Sequence, residues 1–152
     1  MASYTFNIMK GRIVELYKQT KAGNPAASGF ILIPLAVGDI EANRQDDDDV
    51  ATFLAAAPNE AGASWGRKPL QAAALAALPA PDDGNNRYAV PLPQVTWTTP
   101  TAGQNTVGLL VAYAADVAGA DATLIPCTYH DFAVTADGND VILNAGDFFR
   151  AS

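Results

Sequence analysis

The sequence has very few of the residues from which catalytic, redox and metal sites are usually built. In 152 residues it has one cysteine, Cys127, and one histidine, His130. A single cysteine excludes a disulfide within the chain, and the pair supplies too few nitrogen and sulfur ligands for a zinc site. Residues three apart on a continuous strand point to opposite faces, so the two should not meet as nucleophile and base. The sequence therefore predicts no catalytic residue, no cofactor site and no metal site.

Basic residues are also scarce, and no long apolar run is present. Nine Lys and Arg stand against sixteen Asp and Glu, which gives a net charge of −7. A nucleic-acid-binding surface needs a basic patch, so neither nucleic acid nor an anionic membrane is an expected partner. The uncharged stretch 88–115 is interrupted by prolines and a glycine and is not expected to span a bilayer. The N-terminus lacks the features of a signal peptide, so we expect synthesis in the cytoplasm.

The few basic residues are unevenly distributed. Lys10, Arg12, Lys18 and Lys21 lie near the N-terminus, whereas Arg150 is the only base beyond residue 88. A segregated basic segment on an acidic protein favours contact with an acidic partner surface. We therefore take Lys10, Arg12 and Lys18 as candidate interface residues.

Apolar periodicity predicts two or three short helices in the N-terminal half. The first spans about 7–20, although 12–17 also alternates tolerably as a strand. The second begins near Val50 and is closed by Pro58, and a third is expected over 70–78. All are short and rich in small residues, so we expect them to lie against a sheet.

Short β segments predict the rest of the fold. Residues 29–35 are apolar and β-branched, and 107–114 is apolar or small on both faces, which is typical of a central strand. Asp137-Gly138 between two apolar runs predicts a hairpin. Further strands are expected at 88–98 (an edge or bulged strand, because of its prolines), 124–125, 132–134, 141–143 and 147–150. The sequence thus predicts one mainly β domain over 1–152, an antiparallel sandwich or jelly roll, with an N-terminal helix, a mixed segment 21–84 and a β-rich segment 85–152.

Clustered aspartates at 46–49 have two interpretations. Carboxylates suit calcium, but aspartate is also a preferred N-cap residue, and the apolar stripe starting at Val50 places a helix directly after them. The cap is the favoured interpretation, and a weak ion site stays open. Asp137-Gly-Asn-Asp140 matches a turn better than a calcium loop. A small hydrolase or carbohydrate-binding module is also left open, because two of the many carboxylates facing a cleft would suffice.

Aromatic residues in irregular segments are candidates for binding. Aromatic rings on loops often anchor protein interfaces, and about two of the following four are expected at one: Trp65, Tyr88, Trp97 and Tyr129. Phe148 and Phe149 are adjacent near the C-terminus and should face opposite sides of a strand, so one is expected to contact a partner.

Several phrases occur together in an order that is similar to a known family. They are KGRIVELY at 10–17, AALPAPDD at 76–83, RY at 87–88, QVTWT at 94–98, HDFAVTADG at 130–138 and GDFFRAS at 146–152. On these phrases, which extend over nearly the whole length, the chain resembles short proteins encoded among the virion genes of tailed bacteriophages.

The resemblance implies a structural role in the particle, with no active-site residue to transfer to this chain. It suggests a capsid-decorating cement protein on the capsid surface, bound to the major capsid protein and made in the host cytoplasm. Decorating proteins sit at local three-fold positions, so a homotrimer is expected. A minor tail or baseplate component is the alternative.

Overall fold

The computed structural model describes residues 3–36, 44–56 and 59–151. Within these ranges the chain forms nine strands and two α-helices. The strands are β1 (Tyr4–Thr5), β2 (Gly29–Leu35), β3 (Lys68–Gln71), β4 (Tyr88–Leu92), β5 (Val95–Trp97), β6 (Thr106–Ala114), β7 (Ile125–Val134), β8 (Val141–Leu143) and β9 (Gly146–Ala151). The helices are α1 (Ile13–Lys21) and α2 (Val50–Ala56), with 3₁₀ turns at Asn7–Met9, Arg44–Asp46 and Asp121–Thr123.

The strands form one larger sheet and two small ribbons. The larger sheet has five antiparallel strands in the order β1-β7-β6-β2-β3, and the ribbons pair β4 with β9 and β5 with β8. β6 is the middle strand, so the central position predicted for 107–114 is confirmed. The mainly β, antiparallel class and the buried strand at 29–35 are confirmed as well.

β6 separates two hydrophobic cores, because its side chains alternate between the two faces of the sheet. The first core contains Leu109, Val111 and Tyr113, and the second contains Leu110, Ala112 and Ala114. All six are at most 7% exposed. Burial on both faces explains why this strand carries no charged residue.

The first core lies between the sheet, α1 and the two ribbons. Tyr17 comes from α1, while Val90, Trp97 and Phe148 come from the ribbons. Phe30 of β2 joins these layers, with its ring centroid 5.6 Å from those of both Tyr17 and Phe148. Large rings therefore connect segments that are far apart in the sequence.

The second core lies on the opposite face of the sheet. Phe53 of α2 packs edge-on against Phe6, with ring centroids 5.3 Å apart, and both are fully buried. The sheet presents the small side chains of Ala112 and Ala114 to this core. In a closely packed core, small side chains on the central strand leave room for larger ones from neighbouring elements.

α1 is shorter than the helix predicted over 7–20. A 3₁₀ turn at Asn7–Met9 comes first, and Gly11 has a φ of +81°, which an α-helix cannot contain. The α-helix begins at Ile13, so the alternative of a strand over 12–17 is wrong. It ends before Gly23, whose φ of +74° is typical of a helix C-terminus.

α2 starts where the aspartate run predicts. Asp49 Oδ1 accepts the backbone N–H of Thr52 at 2.7 Å, and Oδ2 accepts the Thr52 hydroxyl at 2.8 Å. Asp49 is therefore the N-cap, which confirms the favoured interpretation for this residue. The helix end predicted at Pro58 lies outside the described residues.

The helix predicted over 70–78 is wrong. Lys68–Gln71 forms β3, which pairs with β2 at the edge of the sheet. The chain then turns, and the Leu75 amide donates to the Gln71 carbonyl at 3.2 Å. Strand pairing through Leu70, together with burial of Leu75, outweighs the helix propensity of the alanines between and after them.

The hairpin predicted at Asp137-Gly138 is also wrong. The turn itself forms, because Asp137 Oδ1 accepts the Asn139 amide at 3.0 Å and Gly138 has a φ of +89°. However, the strands on either side do not pair with each other: β7 pairs with β1 and β6, and β8 pairs with β5. The turn therefore carries the chain from the larger sheet to a ribbon.

The remaining strand predictions differ from the structure in where the strands begin and end. The segment predicted as one strand over 88–98 forms β4 and β5, and the expected irregularity is confirmed as a bulge between Val90 and Pro91. Of the run predicted at 124–125, only Ile125 is in a strand, where it begins β7. The run predicted at 132–134 forms the other end of this single long strand, and β8 and β9 lie where expected.

Candidate functional site

The three basic interface candidates lie on the surface, in α1 or just before it. Lys10, Arg12 and Lys18 are all exposed, whereas Ile13 and Tyr17 turn the other side of α1 into the first core. Lys10 Nζ donates to the Asn7 side-chain oxygen at 2.6 Å. These cations therefore remain available to an external acidic surface.

Two contacts hold this basic region in place. Lys18 Nζ lies 5.9 Å from the centre of the Tyr88 ring, a cation–π distance. Lys21 Nζ donates to the carbonyls of Ala72 and Leu75 at 3.0 and 2.7 Å, which fixes the end of α1 to the turn after β3. Lys21 is thus bound to the fold by two hydrogen bonds, whereas Lys18 contacts it through the Tyr88 ring.

The two tryptophans expected at an interface are instead core residues. Trp65 and Trp97 are 2% and 1% exposed, with ring centroids 5.6 Å apart. Each indole N–H donates a hydrogen bond within the chain. That of Trp65 binds the Gln104 carbonyl at 2.5 Å, and that of Trp97 binds the Gly66 carbonyl at 3.1 Å. Rings buried in this way join irregular segments to the first core and do not reach the surface.

The remaining aromatic candidates are buried to different degrees. Phe148 is 5% exposed and packs in the first core, and Tyr129 is fully buried in the second. Phe149 and Tyr88 are half-buried. Of the aromatic candidates, Phe149 and Tyr88 are therefore the ones with surface to offer a partner.

Cys127 and His130 share a face of the sheet, contrary to the sequence argument. The register of β6 and β7 is irregular between Val111 and Ala112, so Cys127 packs in the first core while His130 lies opposite Leu109 of that core. A bulge of this kind interrupts the alternation that would separate the two side chains.

Sharing a face does not bring these two residues into a nucleophile–base contact. The Cys127 thiol donates to the Ile125 carbonyl at 3.5 Å, and His130 Nε2 lies 2.9 Å from the Thr128 hydroxyl. Complete burial raises the pKa of Cys127 far above its ordinary range. Burial also lowers the pKa of His130. A thiol that stays protonated is a poor nucleophile.

Three of the four aspartates at 46–49 have different partners. Asp46 accepts a hydrogen bond from the Asn7 amide, Asp47 forms an ion pair with Arg44 at 2.7 Å, and Asp49 caps α2. Within residues 3–36, 44–56 and 59–151, no three His, Cys, Asp or Glu side chains come together as a potential metal site. The described contacts give Asp46, Asp47 and Asp49 structural roles.

Arg67 forms an ion-pair network that sequence reasoning missed. Its guanidinium donates to Glu60 and, at 2.6 Å, to Asp121 Oδ1. The hydrogen bonds to both carboxylates raise the pKa of Arg67, and the bond from Arg67 lowers that of Asp121. No local sequence pattern indicates these partners, because Asp121 lies far from Arg67 along the chain.

A cavity of about 160 Å³ lies between β7 and the β8–β9 segment. Leu92, Leu109 and Phe148 contribute apolar surface, and His130, Asp131 and Asp147 contribute polar groups. Pockets that bind drug-sized molecules usually measure 300–1,000 Å³. This one is suited to a single side chain or a similarly small group, and nothing in the sequence predicted it.

Comparison with protein-family models, with curated proteins and with solved structures found no match for this chain. Among the helices that the structure describes, none has the length and apolar character needed to cross a membrane.

Proposed function

We propose that this chain is a non-enzymatic structural protein of a bacteriophage particle, one that decorates the capsid and stabilises contacts between major coat subunits. The observation that carries the proposal is the outward position of Lys10, Arg12 and Lys18 on a protein of net charge −7. The resemblance of its sequence phrases to virion proteins points in the same direction.

Charge segregation fits a two-sided role at a particle surface. The basic segment contacts an acidic region of the coat, and the acidic body faces solvent and repels neighbouring particles. The burial of Trp65 and Trp97 and their hydrogen bonds within the chain also fit a preformed scaffold, because the fold needs no partner to bury its largest rings.

The arrangement of the layers supports the proposal that this mainly β fold is a sandwich. The ribbons contribute Val90, Trp97 and Phe148 to the same core as Phe30 and Val111 of the larger sheet. On this proposal the β4–β9 and β5–β8 ribbons make the second layer of a jelly-roll-like sandwich. Such a rigid scaffold suits a protein that transmits load between subunits.

A homotrimer is the proposed working form. A shell has local three-fold positions, and a trimer placed there repeats each basic contact three times. Repetition converts weak single contacts into strong overall binding. A minor tail or baseplate component is the alternative, and it predicts a different location in the particle.

Binding to purified coat shells that lack this protein tests the proposal. The triple variant Lys10→Gln, Arg12→Gln and Lys18→Gln should bind about tenfold more weakly at 0.1 M salt, a loss of about 1.4 kcal/mol. Binding of the parent should weaken as salt rises, because exposed charges are screened. Arg150→Gln, which removes an exposed cation elsewhere, is the matched control and should bind like the parent.

Two outcomes would contradict the proposal. Equal binding by the parent and the triple variant would show that the basic segment does not contact the coat. Absence of the parent from shells, together with its recovery on tails, would instead support the tail alternative.

A further inference from the structure

The one histidine of the chain lies where the larger sheet meets the β4–β9 ribbon. His130 belongs to β7, and its ring Nε2 lies 2.9 Å from the hydroxyl of Thr128 on the same strand. The ring also donates a hydrogen bond to the backbone of Phe148 in β9. A neutral imidazole has one donor and one acceptor nitrogen, so it can serve a carbonyl and a hydroxyl at once. His130 therefore links a strand of the ribbon to a strand of the sheet.

Two small cavities flank this link. One of about 160 Å³ lies on the side of β8 and one of about 130 Å³ on the side of β1, and both are lined by His130 and Phe148. A single water molecule needs only roughly 10–15 Å³ of such volume. The link therefore lies in an incompletely packed part of the fold, where water and protons can reach the ring.

The charged and titratable groups around the ring come from three strands. On β7 the neighbour is Asp131, whose negative charge acts on the ring. On β9, Asp147 lines the first cavity and Arg150 the second, and Arg150 Nε donates to Asp147 at 3.1 Å. On β1, Tyr4 contributes a phenol to the second cavity. The lining residues from β4, β6 and β8 are apolar: Leu92, Leu109 and Leu143.

The balance of these effects keeps the ring neutral in the folded protein at pH 7. Burial lowers the pKa of His130, and it outweighs the opposing effects of the Asp131 charge and of the hydrogen bond to Phe148. If β9 detaches, the ring regains water and its ordinary pKa of about 6.5. The detached form therefore binds a proton more tightly than the closed form. The contribution of the link to the closed form is complete above about pH 6.5 and is lost as the pH falls through the pKa of the closed form.

We propose that His130 is a pH-sensitive link, which holds β9 against β7 while the ring is neutral and releases it when the ring is protonated in mildly acidic solution. The released strand carries Phe148, so acid makes accessible an aromatic ring that is 5% exposed in the closed form. The pairing of β2 with β6 lies away from the ring and is retained. The link does not depend on a place in a particle.

Amide hydrogen exchange of the full chain, measured by NMR at about pH 7.5 and about pH 5.5, tests the proposal. Histidine is the side chain that ordinarily titrates in this range, and the chain has one. After correction for the intrinsic effect of pH on exchange, the amides of β9 should open severalfold more often at the lower pH. The amides of β2 serve as the internal reference and should open equally often at both.

Two variants separate the histidine from its charged neighbour. His130→Gln keeps an N–H donor and an oxygen acceptor but cannot titrate, so opening of β9 should be the same at both pH values. Asp131→Asn keeps the histidine and is the matched control. Its β9 should still open in acid, with a midpoint at lower pH, because the carboxylate that favours the protonated ring is gone.

The NMR signals of the His130 ring in the parent provide a test that needs no variant. Their titration should give a midpoint below about 6.5 that coincides with the opening of β9. The proposal is overturned if this midpoint is about 6.5 or higher, or if β9 of the parent opens equally often at both pH values. It is also overturned if His130→Gln keeps the pH dependence, or if Asp131→Asn abolishes it and so assigns the response to the carboxylate.

Discussion

The two faces of the central sheet are packed in different ways. The first core contains large rings, such as Trp97, Tyr17 and Phe148, that come from a helix and from ribbons far apart in the sequence. The second core also contains rings, those of Phe6, Phe53 and Tyr129, but β6 contributes only Ala112 and Ala114 beside Leu110 there. The central strand therefore carries large side chains on its first face and mainly small ones on its second. We accordingly expect the first face to be most sensitive to the loss of a ring and the second to the enlargement of an alanine.

Removing a large ring from the first core should have the largest effect. Trp97→Ala deletes the contacts with Trp65 and Phe132 and the hydrogen bond to the Gly66 carbonyl. We expect a loss of about 3–5 kcal/mol in the free energy of unfolding, measured by chemical denaturation. A loss below about 1 kcal/mol would show that this ring does not hold the ribbon to the sheet.

Enlarging a small residue in the second core should have the next largest effect. Ala112 is fully buried, so Ala112→Leu forces extra volume into the second core. We expect a loss of about 1–3 kcal/mol in the same denaturation assay. The exposed Ala133→Leu on the same sheet should change stability by no more than about 0.5 kcal/mol. Equal effects of the two substitutions would contradict close packing on this face.

The N-cap of α2 should contribute less to the free energy of unfolding than the two core residues. Asp49→Ala removes the acceptor of the Thr52 amide and should cost about 1 kcal/mol, whereas the exposed Asp48→Ala should cost almost nothing. The melting temperatures of the parent and both variants should not rise with calcium. A calcium-dependent rise in the parent that is lost in Asp49→Ala would replace the cap interpretation with an ion site.

The ion pairs of Arg67, which link a loop beside the first core to a turn beside the second, should contribute least to stability. Arg67 belongs to the loop after Trp65 of the first core, and Asp121 lies just before Leu124 of the second. Because these groups are partly exposed, Asp121→Asn should cost about 0.2–1 kcal/mol.

The pH dependence of this link follows from the direction of the pKa shift. The hydrogen bond from Arg67 lowers the pKa of Asp121 in the folded state. Its contribution is therefore complete above the ordinary aspartate pKa of about 3.9 and is lost as the pH falls below it. Acid denaturation of the parent and of Asp121→Asn should converge in that range. A constant difference between them down to pH 2 would contradict the ion-pair account.

Sequence periodicity predicted the elements whose own residues decide their conformation. The stripe from Val50 defines α2, and the alternation over 107–114 defines β6, because helix and strand place side chains with different periods. The same logic failed over 70–78, where β2 captures Leu70 in a strand. It failed at Asp137-Gly138 as well, since a turn does not determine which strands pair across it.

The candidate site was much less predictable from the sequence. The exposure of Lys10, Arg12 and Lys18 agrees with their polar pattern. Burial of Trp65 and Trp97 depends on acceptors at Gln104 and Gly66 that no local pattern reveals. The cavity requires β7 and β9 to lie side by side, which is a property of the tertiary fold alone.

An electron cryo-microscopy map of intact phage particles tests the proposed place of this protein on the capsid. We expect density for three copies of this fold at local three-fold positions on the outer surface of the capsid. Lys10, Arg12 and Lys18 should face the coat subunits in that map. A shell without this density, or single copies found only in the tail, would contradict the claim.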